Sequence, residues 1–247
     1  MASQWELISD VIPDDHHRQV DSTYYVDLVM TGADPPELVV DLGCGIGSSR
    51  ERFLEHNPDI MWVGVDVAGT PESDRRGQVP NVVLYDGERL PFRTGSVPLI
   101  YSHQVLEHVA RPWIVLAEVA RVLTPDGLFI GSTSQFEPYH SLSRWGYTPY
   151  GFRMLAQDAG LDLLELRPAI DGISLITRAY EGNKPEHLKW FYEESPLNLE
   201  IDEWGTASNR RPALVNNRKL VFCGQFAFMA RPAARGDGAV VKVGPDA

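Results

Sequence analysis

The chain has 247 residues, 43% of them apolar, which is enough for one core-bearing domain with an insertion. Its 34 acidic residues outnumber 22 basic ones, and the formal charge of -12 argues against nucleic acid or an anionic membrane as partner. Cys44 and Cys223 cannot make a disulfide framework or a four-thiolate metal site, and no apolar run has the length of a membrane span, so a reduced cytoplasmic protein is expected.

Residues 1–37 are polar and read as a helical cap, with a helix over Arg18 to Met30 stopped by Gly32 and Pro35-Pro36. This cap is a candidate lid. His16 and His17 are adjacent and would diverge on a helix, which suits solvated surface better than a metal pair, and no metal is expected. Then Leu38-Val39-Val40-Asp41-Leu42 forms a buried strand, Gly43, Gly45 and Gly47 fall at alternate positions, and Ser48 to about His56 takes up a helical rhythm. Glycines at such a turn let a ligand lie against bare main chain, and the amides of the following helix favour an anionic group.

A second apolar run, Ile60 to Asp66, ends on an acid, and a third, residues 81–86, does the same. Further strands are expected at Val97 to Ser102, Leu128 to Ser132 (after a turn at Thr124-Pro125-Asp126-Gly127), Leu161 to Leu166 and Lys219 to Met229. Helices are expected at Pro112 to Leu123 and from Pro149, with Thr148 as N-cap. Alternating strands and helices imply an α/β fold: a Rossmann-like, seven-stranded, mostly parallel sheet with an antiparallel last strand and helices on both faces. The domain then spans residues 38–230, residues 168–218 being an insertion with helical pieces near Ile173–Tyr180 and Glu186–Glu194, and residues 231–247 a flexible tail.

A lone strand-end Asp usually forms a turn. Asp41, Asp66 and Asp86 in succession instead line one carboxyl edge, where ligands of such sheets bind. A dinucleotide fingerprint fails because its third glycine position falls on Ser48. Asp66 suits a ribose diol, and Asp86-Gly87-Glu88 offers acceptors to an adenine amino group, so the pattern wants adenosine without phosphates.

The motifs Val39-Val40-Asp41-Leu42-Gly43-Cys44-Gly45-Ile46-Gly47, Val65-Asp66-Val67, Asp86-Gly87-Glu88-Arg89-Leu90-Pro91-Phe92 and Ser102-His103-Gln104-Val105-Leu106-Glu107-His108-Val109 together resemble the Rossmann-like S-adenosylmethionine (SAM)-dependent methyltransferases. The likeness continues through Glu118 to Gly127 and Thr148-Pro149-Tyr150-Gly151-Phe152; Val97-Pro98 departs from the usual aromatic-Asp pair and puts the start of the fourth strand in doubt. The resemblance implies that Gly43, Cys44 and Gly45 cradle the methionine moiety, with Asp41 near its amino group. It places ribose on Asp66 beside Val67, adenine on Asp86, Gly87 and Glu88, and the sulfonium near Ser102, His103 and Gln104. A sulfonium and an ammonium call for carboxylates around them rather than Lys or Arg.

Gln135 to Tyr147 leaves the same edge and would face the methyl group. His140 is the candidate general base, Glu137 the second and His103 a competitor, while His108 reads as structural. Phe136, Tyr139, Trp145, Tyr147, Tyr150 and Phe152 either face a sugar or aromatic scaffold or pack a lid. O-methylation of a sugar or natural-product scaffold is the reading. N-methylation, a nicotinamide oxidoreductase and a SAM-binding protein without turnover stay as alternatives, and so does a homo-oligomer. Tyr180-x-x-x-Lys184 has dehydrogenase spacing, but Gly182 and Pro185 disfavour the helix it needs.

Overall fold

The computed structural model describes residues 2–70, 75, 77 and 79–234. Seven strands form one sheet: β1 (Leu38–Leu42), β2 (Met61–Asp66), β3 (Val82–Leu84), β4 (Val97–His103), β5 (Leu123–Ser134), β6 (Leu161–Pro168) and β7 (Gln225–Pro232). Their order is β3-β2-β1-β4-β5-β7-β6, and only β7 runs antiparallel to its neighbours. The expected sheet is therefore present.

Alternation along each strand sends neighbouring side chains to opposite faces. Val40, Ile100 and Phe129 join the core beneath α4 (Pro112–Val122) and α5 (Pro149–Asp158), while Val39, Leu99 and Ile130 join the core beneath α2 (Ser22–Met30) and α3 (Ser49–His56). Helices thus cover both faces. Thr148 Oγ1 accepts from Gly151 N at 3.0 Å and Pro149 occupies the first helical position, so α5 starts as its sequence prescribes.

Several expectations need correction. The strand expected from Lys219 is instead helix α8 (Pro212–Phe222), and β7 begins only at Gln225. Burial at Ala213, Asn216, Leu220 and Cys223 recurs every three to four residues, the helical period, and it outweighs the short alternation read from Val221 onward. Within 168–218 lie α6 (Gly172–Tyr180), a 3-10 turn at Pro185–Phe191 and a helix absent from the sequence reading, α7 (Pro196–Ala207). Pro98 does not delay β4. The register shifts between Val97 and Leu99, so the missing amide falls at an irregularity, while the Thr124–Gly127 turn loops out within β5.

The cap consists of α1 (Gln4–Ile8), a 3-10 turn at Ser9–Val11 and α2, which starts at Ser22 rather than Arg18. His16 and His17 are half-buried ties rather than solvated surface. His16 Nε2 lies 3.3 Å from Tyr24 Oη, and His17 Nδ1 lies 2.7 Å from Asp202 Oδ1. Arg167 donates to both Asp15 oxygens at 2.9 Å, which lowers that carboxyl to about 2. The fully buried Lys219 amine binds Glu194 (2.9 Å), Asp202 (2.8 Å) and the His17 carbonyl (2.7 Å), clamping cap to insertion. The tail expected over 231–247 lies largely outside the described residues, since β7 runs to Pro232 and the description stops at 234. Among the described residues no helix is long and apolar enough to cross a membrane.

Candidate active site

The carboxyl ends of β1 to β4 open into one cleft of about 860 Å³. After β1 the chain folds onto β2, with Gly43 N donating to the Val65 carbonyl at 2.7 Å. Gly43 has φ 73°, and a Cβ there would lie 2.4 Å from Val105 Cγ2, so the turn stays bare main chain. Asp41 is buried behind it and accepts from the Ser49 hydroxyl, itself bonded by Trp62 Nε1 at 3.1 Å. Burial pushes the Asp41 carboxyl up to about 7; the Ser49 bond opposes this and the Asp66 charge adds to it.

Asp66 ends β2 with both oxygens organised, Oδ2 accepting from Gly45 N (3.1 Å) and Oδ1 from Val67 N (2.8 Å). Past β3, Asp86 Oδ1 accepts from Glu88 N (2.9 Å) and Arg89 N (2.8 Å), which closes the Gly87 turn. Glu88 pairs with Arg111 across the rim. Tyr85 stands in the same wall, its phenol pushed up to about 12 by burial and then by the charges of Asp66 and Asp86.

At the end of β4, His103 Nδ1 lies 2.8 Å from Ser22 Oγ and 2.9 Å from Ser132 Oγ. Its ring edge opens on the cleft, yet protein packs around the rest. Burial therefore lowers its pKa against the opposing charges of Asp21 and Glu137, which favours the neutral imidazole. Gln104 follows at φ 52°, a conformation uncommon outside glycine. Its amide is satisfied with nitrogen toward Glu107 Oε1 (2.8 Å) and oxygen accepting from Ser132 Oγ (3.0 Å).

Beside the cleft lies an annex of about 280 Å³, whose lining includes Glu107, Glu137, Tyr139, His140, Arg144 and Trp145; His140 and Arg144 border both spaces. His140 Nδ1 is 3.1 Å from the Pro138 carbonyl, which can only accept, so Nδ1 carries a proton and Nε2 is the nitrogen that turns basic in the neutral ring. The ring meets His108 edge-on at 5.1 Å, and Glu137 Oε1 lies 3.9 Å from His140 Nδ1. Glu137 accepts from Gln225 Nε2 at 3.0 Å, and the buried Glu107 accepts from Thr133 Oγ1 at 3.0 Å. Burial pushes the Glu107 carboxyl up to about 7; its own backbone and the Thr133 and Ser134 hydroxyls oppose the rise, while the Glu137 charge adds to it.

The fold therefore gathers Asp41, Gly43, Cys44, Gly45, Asp66, Val67, Asp86, Gly87, Glu88, His103 and Gln104 around one cleft, with His140 at its border and Glu137 in the annex. Ser102 is the exception. Strand alternation turns Tyr101 and His103 to the cleft and Ser102 away, fully buried with its hydroxyl unpartnered among the described residues. His108, read as structural, borders the cleft. The aromatic set divides: Tyr147 and Phe152 pack in the core, Tyr139 and Trp145 line the annex, and Phe136 and Tyr150 border neither space. Asp21 and Thr23 also line the cleft; the sequence places them only inside the helix expected over Arg18 to Met30 and marks neither as a site residue. From the insertion, only Tyr192 among the described residues reaches the cleft.

A sheet of this order, with a bare glycine turn and acids at successive strand ends, defines the Rossmann-like fold of SAM-dependent methyltransferases. Residues 40–131 match the family model described as a methyltransferase domain. The chain is 30% identical over 129 residues to trans-aconitate 2-methyltransferase of Methylobacterium nodulans, covering 50% of each chain. It is 31% identical over 112 residues to malonyl acyl-carrier-protein O-methyltransferase of Herminiimonas arsenicoxydans, covering 44% of this chain and 42% of the relative. The chain spans half or less of the length of the curated relatives it matches. Its fold is similar to a chain from the complex of the Haloferax volcanii Trm112 methyltransferase activator with a methyltransferase (TM-score 0.53, 20% identity, 88% and 91% covered). The cleft fits SAM on two observations: Gly43, at φ 73° with Val105 packed against it, keeps the β1 turn free of a side chain, and Asp41 and Asp66 suit a compound that carries an ammonium, a sulfonium and a ribose diol.

Proposed function

We propose that the chain methylates an oxygen of a small-molecule acceptor, a sugar or natural-product scaffold, with SAM as donor. SAM supplies an electrophilic methyl group on a sulfonium. Asp41 and the Gly43–Gly45 main chain would hold the amino-acid end, Asp66 the ribose, and Asp86 with the Gly87 and Glu88 backbone the adenine. His103 and Gln104 would wall the reacting end. The observation that carries the reading is a donor cleft that shares His140 and Arg144 with an adjoining annex of a size for a modest acceptor. Positioning of the acceptor against the methyl carbon would supply much of the acceleration.

His140 Nε2, the basic nitrogen of the neutral ring given the Pro138 bond, is the group placed to take the acceptor proton, and Glu137 is the second. Two relatives named as methyltransferases of trans-aconitate and of malonyl acyl-carrier protein, the second an O-methyltransferase, support an oxygen acceptor. The test is a panel of hydroxylated and carboxylated small molecules incubated with methyl-labelled SAM. A labelled product with stoichiometric S-adenosylhomocysteine is expected. Tight SAM binding with no product from any acceptor would leave a binding protein instead, and products labelled only at nitrogen would move the reaction to amines.

A further inference from the structure

The sequence gives no metal-ligand spacing, yet folding brings Glu107, His108 and His140 together, one ligand atom from each lying within 4.8 Å of the others. We propose that this group binds one divalent first-row transition cation, of the zinc, manganese or iron(II) class, and that the cation anchors an oxygen of the acceptor. Two imidazoles and a carboxylate suit these ions, whereas calcium and magnesium prefer all-oxygen sets.

The Pro138 carbonyl holds Nδ1–H of His140, the backbone partner that orients a ligating imidazole and leaves Nε2 to the metal. Charge points the same way. Glu107 is buried and Glu137 half-buried, and among the described residues neither has a Lys or Arg partner. Both crowd the single hydroxyl proton of Ser134, which can serve one of them at a time. A divalent ion would neutralise this corner. Ligation at about 2.0–2.2 Å requires the three atoms to close by roughly 1 Å, and His140, on the loop leaving β5, is the ligand free to do so.

Position gives the ion its use. His108 borders the donor cleft, Glu107 the annex and His140 both, so an open coordination position falls between methyl donor and acceptor. A hydroxyl bound there becomes more acidic and passes its proton to Glu137. This anchoring role rests on the methyltransferase reading and turns His140 from direct base into ligand; cation binding itself rests only on the three side chains.

Cobalt(II) and zinc(II) titrations of the full chain, by visible absorption and calorimetry, read binding without turnover. One equivalent is expected, with a tetrahedral or five-coordinate cobalt spectrum, and His140→Ala and His108→Asn should each weaken binding at least about tenfold. Circular dichroism and thermal melting of both variants verify that they fold. Because Glu107 is buried, Glu107→Gln is scored only if it also retains SAM affinity, and the His140 variant decides otherwise. Absence of binding below millimolar cobalt or zinc overturns the proposal, as does equal binding by the folded variants. In either case the direct-base role of His140 and the SAM reading stand unaffected, whereas loss of SAM binding by the parent chain would overturn that reading alone.

Discussion

The assignment of Asp66 to the ribose predicts a large, measurable loss of SAM affinity in Asp66→Ala. Its two oxygens are held at 3.1 Å by Gly45 N and 2.8 Å by Val67 N, an arrangement that orients the carboxylate and leaves acceptor capacity for a diol. Hydrogen bonds to a charged partner contribute about 1.5–3 kcal/mol each, so two ribose hydroxyls amount to roughly 3–6 kcal/mol, or ~100- to 10,000-fold in Kd. The substitution also frees two loop amides, which pushes the loss toward the upper end. Asp66→Asn keeps one acceptor oxygen and should fall between parent and alanine. Calorimetric titration with SAM or S-adenosylhomocysteine gives the constants, and circular dichroism verifies the fold. An Asp66→Ala protein that folds normally and binds within about tenfold of the parent would refute the assignment.

Three further outcomes follow from particular side chains. Asp41 is pushed up to about 7 when folded, against about 3.9 for an unfolded aspartate, so the fold binds its proton more tightly. The stability it contributes is complete below about pH 4 and is lost as pH rises through about 7; melting of the ligand-free chain should show that decline and Asp41→Asn should flatten it, an unchanged slope counting against the burial argument. In Gly131→Ala the new Cβ would sit 2.0 Å from the Ser102 carbonyl, a backbone atom that cannot swing aside, so urea denaturation should show a loss at or above the usual ~1–3 kcal/mol of overpacking. Lys219→Met leaves Glu194 and Asp202 without their shared ammonium, and denaturation should register roughly 3 kcal/mol, near the low end for a broken buried pair because both carboxylates keep some solvent.

What could be read from residue order alone was local. The acids of β1 and β2, Asp86 beyond β3, the glycine turn and the Thr148-Pro149 helix start are each written within a few residues, and the fold places them as expected. Ser102 was misplaced because flanking motif residues look equivalent in sequence while a strand sends them to opposite faces. Helix α8 was missed because Val221, Cys223 and Gln225 alternate across what is its C-terminal end. The grouping of Glu107 and His108 with His140 is a tertiary fact: they lie on separate segments, and only the return of the chain after β5 brings His140 back.

The sheet order also governs how this chain can be made. β7 lies between β5 and β6, so residues 161–168 have no strand to pair with until residues 225–232 arrive. A nascent chain leaving the ribosome can close the donor half, β1 to β5, early. Its other edge stays unpaired throughout synthesis of the insertion, an exposed template for aggregation and a pairing of long sequence separation that slows completion. Premature termination before Gln225 would therefore yield a half-finished sheet with Leu161, Leu163 and Leu166 uncovered, a natural target for chaperones and proteases.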